Sequence, residues 1–78
     1  MTLGRYLKKK RAELGLTLKE ASELTGISIG NISMHESGKH VPNEKTLERY
    51  AKAYGIDIRT LTEPYHDRTV SWGERLGL

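Results

Sequence analysis

The stretch Gly15-Leu16-Thr17-Leu18-Lys19-Glu20-Ala21-Ser22-Glu23-Leu24-Thr25-Gly26-Ile27-Ser28-Ile29-Gly30-Asn31-Ile32-Ser33-Met34-His35-Glu36-Ser37-Gly38-Lys39 reads as two short helices joined by a tight turn. Thr17-Leu18-Lys19-Glu20 has the form of a capping box, in which Thr17 covers an orphan amide and Glu20 reaches back to the cap. Behind it Leu18, Ala21, Leu24 and Thr25 recur at helical spacing and form the expected inner face, which stops at Gly26. Only Ile27 separates that glycine from Ser28, a second N-cap. The next helix is expected from about Ile29 to Ser37, ending at Gly38. Helices joined by so short a turn cannot lie antiparallel in full contact, so they must cross steeply.

Working outward, Thr2 can cap a first helix whose apolar stripe is Leu3, Leu7 and Leu14, with Tyr6 beside it and Gly15 ending it. On the other side, the loop Lys39-His40-Val41-Pro42 leads to Asn43, which caps a helix carrying Leu47, Tyr50, Ala51 and Tyr54; Gly55 ends that helix. Asp57 can cap a last turn with Ile58 and Leu61. No strand alternation precedes Pro64, and there are no internal repeats. The expected fold is all-α: a compact five-helix domain over residues 1–61, followed by a short C-terminal tail over 62–78. In the tail Val70 and Trp72 alternate with polar neighbours, and Leu76 and Leu78 are apolar. A loosely ordered terminus, a dimerisation arm and packing back onto the domain all remain open.

Composition narrows the functional classes. The chain has 78 residues, 13 Lys+Arg against 10 Asp+Glu, a formal net charge of +3 and no cysteine. That length holds one small core and disfavours a multidomain enzyme with an enclosed pocket. Without cysteine there is no disulfide scaffold, zinc ribbon or thiol catalyst. Apolar runs are too short to span a membrane, and Met1 to Arg11 is basic without the apolar core of a secretory signal. No nucleophile has a base at recognisable spacing, and no glycine-rich phosphate loop is present. His35 and His40 lack an evident third ligand. The chain is therefore expected to be cytoplasmic, to carry no metal or cofactor, and not to be an enzyme.

From Gly15 to Lys39 the sequence resembles the phage repressor and Cro-like helix-turn-helix family, also called the xenobiotic-response-element family. The likeness extends over roughly residues 2–61. It rests on the joint spacing of Gly26 in the turn, Ile32 as inward anchor, Glu36-Ser37-Gly38-Lys39 at the helix end, and Pro42-Asn43. The resemblance implies a prokaryotic or phage-type regulator of transcription that binds double-stranded DNA, most often as a repressor. Its second helix of the pair would enter the major groove, held from behind by Ile32 and His35 against the preceding helix. The implied DNA-facing residues are Ser28, Ile29, Gly30, Ser33, Met34 and Ser37, with phosphate contacts at Thr17, Asn31, Lys39 and His40. One small reading head seldom binds tightly, so a homodimer is expected.

Several residues invite plainer readings. Ser28 is first of all an N-cap. Lys8, Lys9 and Lys10 fit a solvated helix face as well as a phosphate patch. Arg11 falls on an apolar stripe and needs a partner there; Glu36, four residues from Ile32, also leans inward. An Arg11–Glu36 ion pair of structural role is expected, as the family commonly has. His35 stands where the family usually carries an aliphatic or aromatic residue, and reads as a hydrogen-bonded core-edge histidine or as a pH-sensitive latch. Leu18 replaces the usual glutamine, while Ile29, Gly30 and Met34 replace long polar readers. Two consequences stand side by side. Ile29 and Met34 contact thymine methyl groups, or the surface reads DNA weakly and docks a protein, as an antitoxin or regulatory subunit would, through this face or the tail.

Overall fold

The computed structural model describes residues 2–62; the expectations attached to Val70, Trp72, Leu76 and Leu78 lie outside them. In chain order the elements are α1 (Leu3–Glu13), α2 (Leu18–Thr25), α3 (Ile29–Ser37) and α4 (Glu44–Tyr54). A short α5 covers residues 58–62, and the described residues contain no strand. The expected all-α, five-helix architecture is what forms.

Local chemistry sets the boundaries. Thr2, Thr17, Ser28 and Asn43 each accept a hydrogen bond from the amide three residues on, at the start of α1 to α4 in turn. The Thr17–Glu20 capping box is closed in both directions, at 3.0 and 2.9 Å. Asp57 accepts from the Arg59 amide at 2.9 Å and opens α5. Such caps satisfy amides that have no acceptor within the helix.

The core gathers Leu7, Ala21, Ile27, Ile32, Leu47, Tyr50, Ala51, Tyr54 and Leu61. α3 packs most extensively on α1 and also on α2, and α2 in turn rests on α4. Two expected core leucines are in solvent. Leu24 is 56% exposed because it lies roughly a quarter-turn from the Leu18–Ala21–Thr25 direction of α2. Ile27, in the turn, occupies the core instead. Leu14 is 48% exposed: it is the C-cap of α1, and the chain reverses there so that Leu16 packs against the core in its place.

α1 and α3 approach closely at Gly4. A Cβ at that position would lie 2.5 Å from the His35 carbonyl oxygen and 2.7 Å from that of Glu36. No side chain fits between the two backbones. Farther along α1, Arg11 Nε donates to Glu36 Oε2 at 2.7 Å and Nη2 to Oε1 at 3.0 Å. Nη1 donates to the Leu16 carbonyl at 2.9 Å, so one guanidinium joins α1, α3 and the α1–α2 turn. The side chains of Arg11 and Glu36 are only 15% and 6% exposed. The bond to Glu36 holds Arg11 above its ordinary pKa, against the lowering effect of burial.

Two substitutions test this joint. By helix propensity alone Gly4→Ala would stabilise α1 by about 1 kcal/mol. The close approach reverses the sign, and urea unfolding should show a loss of ~1–3 kcal/mol. Glu36→Ala strands the Arg11 charge and should cost ~3–5 kcal/mol. A loss below about 1 kcal/mol in the same measurement would overturn the buried-pair account.

Candidate nucleic-acid interface

The turn between α2 and α3 is built by four consecutive residues. The Thr25 hydroxyl donates to the Ala21 carbonyl at 2.8 Å and accepts the Ile27 amide at 3.1 Å. Gly26 takes the left-handed conformation, φ +78°, beneath the Arg49 guanidinium, a backbone geometry that glycine adopts without penalty. Ile27 is buried, and Ser28 caps α3. These contacts fix the rotation of α3 about its axis.

That rotation turns Ile32 and His35 inward and leaves Ile29, Gly30, Ser33, Met34 and Ser37 exposed. At about 100° per residue, Ile29 and Met34 stand on the two flanks of this face, with Gly30, Ser33 and Ser37 between them. Ile29 is 45% and Met34 42% exposed. A Cβ at Gly30 would meet nothing within 4 Å, so packing does not require glycine there. Glu36, the one formally charged side chain of α3, is bound to Arg11 instead of facing outward. The exposed face is therefore uncharged.

The loop after α3 is tied to the helix end. The amides of Lys39 and His40 both donate to the Met34 carbonyl, at 3.0 and 3.3 Å. Beside the loop an open cleft of about 500 Å³ lies between α3 and α4, with Ser28, Asn31, His35, His40, Lys45 and Arg49 in its lining. It brings together three of the sequence-predicted residues, Ser28, Asn31 and His40. Thr17 and Lys39 are not part of it. Thr17 is occupied by its capping box, which leaves Leu18 and Lys19 as the first-turn amides of α2 without an intrahelical acceptor.

Lys45 and Arg49 escaped the sequence reading. Their signal was a basic pair at i, i+4 on the side of α4 opposite its apolar stripe. Among the described residues neither they nor Lys39 take part in an ion pair, whereas Lys9 and Lys10 lie 4.0 and 3.3 Å from Glu13. Beside α3, unpaired positive charge thus gathers at the loop and cleft; on α1 Arg5 and Lys8 are also without an ion pair among the described residues.

His35 departs from expectation in its direction. It turns to α4, not α2: Nδ1 lies 2.8 Å from the Tyr50 hydroxyl. Its ring stacks on His40 with centroids 5.5 Å apart, and it is 4% exposed. The described residues contain no group of three or more side chains able to hold a metal ion. Burial, and then the nearby His40, lower the His35 pKa. Burial also raises Tyr50 well above the usual phenol value and pushes Tyr54 up to about 12, so both phenols stay neutral.

The consequence for stability has a definite sign. The unfolded chain takes up a proton at His35 near pH 6.5, before the folded chain does, so the folded state is favoured most above that value. Stability should fall as pH drops from 6.5 through the lowered folded value. Thermal melts between pH 7.5 and 5 should show this fall, and His35→Leu should flatten it. An unchanged slope in that variant would remove His35 as the cause.

Comparison with known proteins agrees with this geometry. The helix-turn-helix family model matches residues 7–61. An HTH-type transcriptional regulator, DdrOP3, of Deinococcus deserti is 36% identical over 72 residues, covering 88% of this chain and 56% of that protein. The ImmF control region 10 kDa protein of Bacillus phage phi105 is 36% identical over 59 residues, covering 76% of this chain and 66% of that protein. The chain thus spans between about half and two thirds of the length of these curated relatives. With Gly26 in the turn, Ile32 anchoring α3 and a family match over most of its length, the chain belongs to the phage repressor-like helix-turn-helix family.

Proposed function

We propose that this chain is a transcription regulator that binds double-stranded DNA by inserting α3 in the major groove. It acts by occupancy, most simply as a repressor, and no chemistry is assigned to it. The observation that carries this reading is the pairing of an outward, uncharged α3 face with unpaired cations at its edge. Lys39 lies directly after α3, and Lys45 and Arg49 border the adjoining cleft. A groove-binding helix needs both parts: a face that approaches base edges, and flanking groups that hold phosphates. The first-turn amides of α2, α3 and α4 add donors for phosphate oxygens. The similarity to a transcriptional regulator and to a phage control-region protein supports the same reading.

Within this proposal Ser28, Ile29, Gly30, Ser33, Met34 and Ser37 face the bases. Thr17, Asn31, Lys39 and His40 face the backbone, joined by Lys45 and Arg49. The protein works as a homodimer on two half-sites ~34 Å apart, in the cytoplasm, with residues 1–61 as the binding domain. No helix among the described residues is long and apolar enough to cross a membrane. A second reading, a protein-docking module, draws on the exposure of Ile29 and Met34 together with Val41, which is 74% exposed.

Binding to duplexes selected from a random pool, followed by fluorescence anisotropy across a salt series, separates the two. DNA binding should weaken steeply with salt. Lys39→Ala should lower affinity alike for all sequences and reduce the salt slope by about one. Duplex affinity that is negligible at low salt, with a partner still captured in high salt, would favour docking.

A further inference from the structure

Resting on that reading, we infer that α3 recognises the C5-methyl groups of pyrimidines in the major groove, on thymine and on 5-methylcytosine alike. A helix can discriminate bases through bidentate hydrogen bonds from long polar side chains or through apolar contact with the thymine methyl. The first route is closed on this face. Its exposed side chains are Ile29, Ser33, Met34 and Ser37, with no Arg, Lys, Asn, Gln, Asp or Glu among them. Asn31, also exposed on α3, lies ~60° beyond Met34 and lines the cleft with Lys45 and Arg49 on the backbone-facing side. The single carboxylate, Glu36, is held by Arg11 at 2.7 Å. Ser33 and Ser37 are too short for a bidentate contact, a serine hydroxyl pairs with more than one base, and the Ser37 hydroxyl already donates to the Met34 carbonyl at 3.2 Å.

The second route is built in. Ile29 and Met34 are the exposed apolar side chains of α3. Their positions differ by ~7.5 Å along the helix axis, roughly the rise of two base-pair steps. Between them Gly30 presents no side chain, and the space above it is open. Nothing in the core explains that glycine, whereas a close approach of the helix backbone to the groove floor does. Isoleucine and methionine would then reach methyl groups on either side of the approach. Because such contact registers the methyl and not the group at C4, thymine and 5-methylcytosine present the same feature. Cytosine methylation therefore becomes an input to binding.

The test alters the DNA, so folding of the protein does not enter. In a selected duplex each thymine is replaced in turn by deoxyuridine, which deletes the methyl and keeps every hydrogen-bonding group. At one or more positions per half-site, affinity should fall about fourfold, the value of one buried methyl-sized group. At those positions a 5-methylcytosine–guanine pair should bind about fourfold tighter than its unmethylated counterpart. Ile29→Ala or Met34→Ala should erase the difference between thymine and deoxyuridine, whereas Lys39→Ala should leave it intact. Equal affinity for thymine and deoxyuridine duplexes overturns the methyl assignment while DNA binding stands. Failure to bind any duplex overturns both.

Discussion

Arg11 and Glu36 meet through two hydrogen bonds of 2.7 and 3.0 Å with little solvent around them, and the placement of α3 depends on that meeting. A nine-residue helix is too short to persist by its own propensity and has to be held by its surroundings. Three contacts do this. Ile32 fills the core beneath its centre, the Gly4 backbone lies against its last turn, and the Arg11 fork grips Glu36. The ion pair is not a simple gain in stability, since desolvating both charges opposes their attraction. What it supplies is direction: the α3 carboxylate has a single satisfied position, and that position faces away from the exposed surface.

The distribution of positive charge follows from the same arrangement. Arg5, Lys8, Lys9, Lys10 and Arg11 make the N-terminal segment the most basic part of the chain. Yet Arg11 is spent on the core, and Lys9 and Lys10 lie near Glu13. The cations beside α3 come from outside the N-terminal segment, Lys39 from the loop directly after α3 and Lys45 and Arg49 from α4. Net charge counts these groups equally; geometry does not. In the function proposed, the uncharged face of α3 and the cationic edge beside it would divide the work of recognition, with specificity in apolar shape and affinity in phosphate contact.

How far the sequence could be read depended on the range of the interaction. Caps and stops are local, settled within three or four residues, and so Thr17 with Glu20, Ser28, Asn43 and Gly26 could be placed before any fold was known. Which apolar residues enter the core depends on where neighbouring helices lie. Leu24 and Leu14 satisfied a periodicity count and are nonetheless exposed, because one is rotated off the inner face and the other sits past the end of α1. Ile27, read as a mere spacer, became a core residue once the turn was closed. His35 was readable as a buried, hydrogen-bonded histidine, but its partner, Tyr50, is on α4 and fifteen positions away.

By itself the sequence determined the five helical segments, the tight turn between the second and third, and the family they resemble, because these follow from short-range spacing of caps, glycines and apolar residues. It also showed that Arg11 and Glu36 each needed an inward partner. Tertiary structure decided the rest: that Gly4 lets α1 lie against α3, that His35 turns to Tyr50, and that Lys45 and Arg49 border one cleft with Ser28 and Asn31. Those facts depend on how helices cross, and a crossing is set by the simultaneous fit of many side chains, which no single stretch of chain contains.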